Sequence, residues 1–321
     1  MKHVFGPVPS RRLGQSLGID PVFPKTCNWN CVYCQLGRTI PLTNTRKEYI
    51  PTEEIFSEVE EALDQHPHGG IDWITFVGSG ETMLASNVGI LIEQIKQITN
   101  IPIAVIINGS ILHLPEVRQE LLMADAALPS LDAGNPWLYK KINRPHPEVT
   151  FEHLVGGLKQ FRHDYHGKLW IEVMLMKDIN DSAETLTEIA AHLKDIQPDE
   201  VHILLPTRPA VETWVGPADE EGLQRARTIL GDVARVVDPK AGTFDLGQED
   251  ELQERIVDII TRHPMKETEL LATLQKYPQI NGVELLTRLE RSRKVQIITR
   301  NKERYWSAVP AFYPENNQEE R

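Results

Sequence analysis

The sequence predicts an α/β protein: a partial parallel (β/α)6 TIM-like barrel followed by a small C-terminal winged-helix-like domain. Three observations carry this. Between residues 17 and 238, six short apolar runs alternate with helical patterns, the succession that builds a parallel barrel. Runs such as Ile103-Ala104-Val105-Ile106-Ile107 are apolar on both faces, as strands of a sheet covered on both sides must be. After a stretch rich in Gly, Asp and Gln, the pattern changes to three helices and a hairpin, the order of a winged-helix module.

Taken in order, the apolar runs place strands over 16–23, 73–78, 102–108, 126–131, 169–176 and 201–206, with a seventh run over 233–237 that edges the sheet. Helical periodicity places helices over 53–66, 85–99, 115–124, 151–164, 183–196 and 218–230. Thr52 is the expected cap of the first, followed by Glu53 and Glu54, which suit the positive end of a helix dipole; Ser182 and Asp219 are the expected caps of the last two. The expected division is a barrel domain over 1–240, a linker over 241–250, a small domain over 251–308 and a loose tail over 309–321. In the small domain the helices fall at 251–262, 266–276 and 282–292 and the hairpin strands at 295–299 and 304–307.

The composition is that of a globular protein: 321 residues, 40 % hydrophobic and 25 % charged, with a formal charge of −12. No stretch reaches the roughly 18 apolar residues of a membrane span, and the opening residues lack the apolar run of a signal peptide. No membrane association is expected. Only three cysteines are present, which excludes a disulfide framework and fits a cytoplasmic location. The acidic total argues against a chain built throughout to coat nucleic acid, though not against a local basic patch.

All three cysteines fall within eight residues, Cys27-Asn28-Trp29-Asn30-Cys31-Val32-Tyr33-Cys34, directly after the first strand. That is the face of a parallel barrel where active sites gather. Three neighbouring thiolates can wrap a metal centre, and the fourth ligand decides which. Zinc needs four closed ligands, and the nearest histidines, His66 and His68, lie beyond a helix. A four-iron cube held by only three protein ligands keeps one iron open.

The spacing Cys-x-x-x-Cys-x-x-Cys, with Tyr33 before the last cysteine, resembles the signature of the radical S-adenosylmethionine (SAM) superfamily. The resemblance implies that Cys27, Cys31 and Cys34 hold one 4Fe-4S cluster, that SAM chelates the fourth iron, and that a 5′-deoxyadenosyl radical then abstracts hydrogen from a substrate. It also implies a low-potential electron donor of the flavodoxin or ferredoxin type. Val77-Gly78-Ser79-Gly80-Glu81-Thr82 resembles the family's Gly-Gly-Glu motif, so Gly80 and Glu81 are expected to hold SAM. Asn108, closing the third strand, is a further candidate for the pocket, and Ser130 and Asp132, at the end of the fourth, resemble the polar pair the family places near the ribose, either equally suited to capping a helix or turn. Leu205-Pro206-Thr207-Arg208 is expected against the adenine. Glu172 and Met174 share one face of the fifth strand by their period of two. The Pro-, Gly- and Arg-rich opening, together with Gln35-Leu36-Gly37-Arg38, resembles an uncharacterised branch akin to wybutosine-synthesis and nitrogenase-cofactor-maturation enzymes. Arg11, Arg12 and Arg144 suit either a substrate carboxylate or phosphate, or pairing with acidic loops.

The acidic surplus belongs to the barrel, while the small domain is nearly neutral with Arg288, Arg291, Arg293, Lys294, Arg300, Lys302 and Arg304 bunched over the third helix and hairpin. Residues 282–306 are therefore the expected contact for a nucleic acid or protein partner, unless the module is a structural lid. Two functions follow: a radical SAM enzyme of unknown substrate, or a non-catalytic iron–sulfur or zinc redox sensor with a DNA-binding winged helix.

Overall fold

The computed structural model describes residues 2–10, 12–66, 70–237, 252–300, 302–309, 311 and 313. Eight strands form one sheet in chain order. β1 (Val4–Ser10) and β2 (Gly14–Ile19) pair antiparallel; from β2 onward every neighbour is parallel, through β3 (Trp73–Phe76), β4 (Ile103–Ile107), β5 (Ala126–Pro129), β6 (Lys168–Met174), β7 (Glu200–Leu204) and β8 (Ala234–Val236). The crossovers carry α1 (Thr52–Gln65), α2 (Val88–Ile98), α3 (Pro115–Leu121), α4 (Pro136–Ile142), α5 (Phe151–Asp164), α6 (Ala183–Ile196) and α7 (Glu220–Leu230). The six expected βα units and the seventh, edge strand are all present. β1 and α4 are additions.

Local chemistry explains most boundaries. Ser182 accepts from the Thr185 N–H and Asp219 from the Gly222 N–H, as expected of caps. Thr52 does not cap α1: the position before the helix is Pro51, and Thr52 lies inside the first turn, its hydroxyl donating to Glu48 at 2.8 Å. α4 starts at Asn135, whose side chain accepts from the Leu138 N–H, followed by Pro136 in the first turn.

Alternation sorts the strands into two environments. Leu169, Ile171 and Val173 of β6 pack outward into the main core beneath the helices, whereas Trp170 faces inward with Leu13, Ala104, Ala126 and Leu128. Glu172 and Met174 share Trp170's parity and so face the barrel interior. Leu13, from the turn between β1 and β2, is 2 % exposed among these inward residues and plugs the barrel floor.

The small domain runs α8 (Leu252–Arg262), β9 (Met265–Lys266), α9 (Glu267–Leu274), α10 (Gly282–Arg291), β10 (Val295–Arg300) and β11 (Glu303–Ala308), with sheet order β10-β11-β9. Three helices and the hairpin match the expected order; β9 is a short extra strand. The expected linker over 241–250 lies outside the described residues. In the expected loose tail, Tyr313 is 1 % exposed and its hydroxyl donates to the Gln35 carbonyl, so this described part is docked, not loose.

The small domain does not stand apart from the barrel. Its core of Ile256, Ile260, Leu270 and Trp306 includes Phe5 and Val8 of β1. Arg262 at the end of α8 pairs with Asp20 after β2 at 2.9 Å, donates to the Lys2 carbonyl at 2.8 Å and lies over the Phe5 ring. Tyr305 of β11 donates to the Thr207 carbonyl beyond β7 at 3.2 Å. The module therefore bridges the β1 side and the β7 side of a sheet whose first and last strands are not paired among the described residues.

Candidate active site

The three cysteines occupy the long loop between β2 and α1, and all three line one cavity of about 660 Å³. Its walls come from the ends of β3 (Val77, Gly78, Ser79, Gly80), from Met174 and Leu204, from the segment after β7 (Leu205 to Arg208), and from the module through Arg262, His263, Lys266 and Tyr305. The segment expected against an adenine is thus on the wall. So is Gly80. Glu81, Asn108, Ser130 and Asp132 are not among the lining residues.

Three of those four hold the cysteine loop from behind, each from a different strand end. After β3, Glu81 is 2 % exposed; its two oxygens accept from the Met83 N–H at 3.1 Å and the Asn108 N–H at 2.7 Å. Its own N–H donates to the Thr26 carbonyl at 2.8 Å, next to Cys27. A Cβ on Gly80 would sit 1.9 Å from that Thr26 oxygen, so this contact demands glycine. After β4, the Asn108 amide donates to Asn28 at 2.7 Å, and Asn28 donates to Ser110 at 2.9 Å. After β5, Asp132 is 1 % exposed and accepts from the Tyr33 hydroxyl at 2.7 Å, Asn143 at 2.8 Å and the Met174 N–H at 2.9 Å. Ser130 differs: its backbone bridges to Glu172.

Burial shapes the titration of this layer. It pushes Glu81 up to about 7, although the Asn108 and Met83 N–H groups pull the other way. It raises Asp132, opposed by Tyr33. Burial pushes the Cys27 thiol up to about 12 and the Cys31 thiol well above its ordinary range, each also raised by neighbouring negative groups. Such sulfurs ionise only with positive charge beside them, which a metal centre supplies.

Glu81 carries a pH prediction. Its folded-state value lies above the ordinary value of 4.5, so the folded protein binds the proton more tightly than the unfolded chain. The stability this contributes is present at low pH and is lost as pH rises from about 4.5 to about 7, by about 3 kcal/mol at most. The thermal midpoint of the metal-free protein should fall across that window. In Glu81→Gln the fall should be shallower; an unchanged slope sinks the assignment.

The donors around the sulfurs fit a thiolate-held group. Lys25 donates to Cys34 at 3.4 Å and to the Gly37 carbonyl at 2.6 Å; the Trp29 N–H reaches Cys27 at 3.4 Å, and Asn143 reaches Cys31 at 3.7 Å. Donors aimed at metal-bound sulfurs spread their charge.

The arginines resolve toward ion pairing where they are described. Arg12 pairs with Glu172 inside the barrel, and Arg144 and Arg38 converge on Glu212 at 2.6 and 3.0 Å. Arg11 lies outside the described residues. Sequence reasoning missed Asp20, 1 % exposed, which accepts from the Ser79 N–H at 3.1 Å and holds Arg262. Burial raises its carboxyl against the pull of Arg262. A lone acid at the end of a barrel strand was the available signal.

A family model described as the Radical SAM superfamily matches residues 22–190. The chain belongs to the radical SAM superfamily. Membership implies a 4Fe-4S cluster and SAM, which the three cysteines and their donors fit. The chain is 34 % identical over 281 residues to a UPF0026 protein of Methanocaldococcus jannaschii, covering 86 % of this chain and 87 % of that one. It is 40 % identical over 303 residues to a Brachyspira hyodysenteriae protein named GTPase Obg, covering 92 % of this chain but 43 % of that relative, less than half its length. Among solved structures, a radical SAM methyltransferase from Sphaerobacter thermophilus superposes with a TM-score of 0.51 at 18 % identity over 69 % of this chain and 66 % of that one, a likeness of fold. No helix among the described residues is long and apolar enough to cross a membrane.

Proposed function

We propose that this protein is a radical SAM enzyme that holds one 4Fe-4S cluster on Cys27, Cys31 and Cys34 and acts on a compact substrate admitted to the cavity between barrel and module. The observation that carries this is that all three cysteines open onto one chamber walled by strand ends. A sensor would need no such space. When bound, the cluster supplies the electron that cleaves SAM to a 5′-deoxyadenosyl radical able to abstract hydrogen.

The chain's own residues position and shield. Gly78, Ser79 and Gly80 bring backbone to the cavity wall, where the SAM amino group is expected. Glu81, Asn108 and Asp132 act one layer back, fixing the loop that presents the cysteines. Ser130 remains a candidate ribose contact. Met174, Leu204 and Leu205 exclude water and stray hydrogen donors. Reduction falls to a donor of the flavodoxin or ferredoxin type, in the cytoplasm. Residues 282–306 remain a candidate surface for a nucleic acid or protein partner, with Arg288 and Arg304 already paired to Glu284 and Glu290.

Anaerobic reconstitution of the full chain tests the reading. About four irons per chain are expected. With dithionite and SAM, 5′-deoxyadenosine should be released. Tight metal binding without SAM cleavage would favour the sensor and overturn the enzyme.

A further inference from the structure

A guanidinium taken out of water needs an anion beside it, because little else repays the loss of its hydration. Arg300, at the end of β10, lacks one. Its Nε and Nη2 atoms are buried and have no hydrogen-bond partner. Only Nη1 is used, donating to the Thr299 carbonyl at 3.1 Å. Glu303, opposite Arg300 in the strand register, pairs instead with Lys266 at 3.7 Å. Nε and Nη2 form one edge of the planar group, so a complete two-pronged fork stands open. That is the arrangement which grips a carboxylate or phosphate.

The surroundings tie this fork to the cysteine loop. Burial pushes the Tyr313 hydroxyl up, as does the Cys34 sulfur, while the positive charge of Arg300 pulls it the other way, so both groups lie within electrostatic reach of that ring. Ser307 of β11, 1 % exposed, is close enough to Tyr313 to ease the rise, yet its Oγ has no partner at full hydrogen-bond distance. Tyr313 itself donates to the Gln35 carbonyl, next to Cys34. Hairpin, tail and cysteine loop thus meet around two polar side chains with unmet donors.

We propose that Arg300 anchors an oxyanion site in the module, and that a carboxylate or phosphate group held on its fork fastens the hairpin against the loop that carries Cys34. The site is separate from the chamber, since Arg300, Ser307 and Tyr313 are not among the residues lining it. It does not rest on the radical SAM reading. Two sources supply the same chemistry. One is a free anion; the other is this chain, whose residues 314–321, outside the described residues, include Glu315, Glu319 and Glu320.

The test follows the thermal midpoint of the full-length protein titrated with sodium phosphate or sodium acetate, ionic strength being held constant with sodium chloride. Anions excluded from protein surfaces raise midpoints in general, so Arg300→Gln is the control. With a free anion as the source, the wild-type midpoint climbs saturably and the half-saturating concentration rises at least tenfold in Arg300→Gln. Without added anion, Arg300→Gln then melts no earlier than wild type, since it removes a buried charge. With the chain as the source, the full-length triple variant Glu315→Gln, Glu319→Gln, Glu320→Gln melts earlier than wild type and acetate restores it, whereas the same changes made on Arg300→Gln have no effect. Arg300→Lys keeps the charge without the fork and should retain only part of the response, which keeps the result readable if Arg300→Gln fails to fold. The site is overturned if neither anion stabilises wild type or the triple variant beyond its effect on Arg300→Gln, or if Arg300→Lys responds as wild type does.

Discussion

Cys31→Ala should yield a folded protein that retains iron only at background level and releases no 5′-deoxyadenosine. The fold should survive because the loop around Cys31 is held by other groups. The Val32 N–H donates to the Ile142 carbonyl at 2.9 Å, the Asn30 N–H to the Asn143 carbonyl at 3.0 Å, and Tyr33 to Asp132. Losing one half-buried sulfur costs the metal-free protein about 1 kcal/mol. Gly80→Ala should reach the same loss of iron by the opposite route. Its added methyl collides with the Thr26 carbonyl and must push the loop from β3, costing about 3 kcal/mol or more. Thermal midpoints of the two metal-free variants separate ligand from scaffold: near wild type for Cys31→Ala, well below it for Gly80→Ala. A Gly80→Ala protein with normal stability and iron would show that the contact with Thr26 is slack.

What could be read from the sequence was whatever repeats locally. The parallel strands declare themselves because a run such as Ile103–Ile107 is apolar on both faces, and the cysteines because three thiols within eight residues can close around one metal centre without help from distant parts of the chain. β1 was hidden by its own composition: Gly6, Pro7 and Pro9 break the strand pattern, although Phe5 and Val8 pair with β2 and face the module. The candidate residues after the strands were found by position, but their roles depend on partners far along the chain. Asp132 meets Tyr33 across 99 positions and Asn108 meets Asn28 across 80. A carboxylate that looks free to meet a ligand is, in the folded protein, occupied in holding the loop that presents the metal ligands. The Asp20–Arg262 pair, 242 positions apart, has no local signature at all.

That pair makes the module's role testable, and the expected effect is large. From the sequence, residues 251–308 are expected to bind a partner, and deletion after about residue 248 to spare SAM cleavage. The structure argues the reverse. Ending the chain at residue 237 strips the cavity of the wall built by Arg262, His263, Lys266 and Tyr305, and exposes Phe5 and Val8. It also leaves Asp20, 1 % exposed in the intact protein, without its guanidinium. Removing one partner of a buried pair costs about 3–5 kcal/mol, an appreciable share of the roughly 5–15 kcal/mol that holds a domain folded. The truncated chain should therefore aggregate or melt early, and its iron should be lost to solvent. Arg262→Ala isolates the electrostatic part, and adding Asp20→Asn should recover much of the loss, because a neutral amide no longer needs the cation. A double-mutant cycle read by thermal midpoint and iron content measures the coupling. If Arg262→Ala alone is neutral, or the truncated chain holds iron and cleaves SAM at the wild-type rate, the module is an appendage and not a wall of the site.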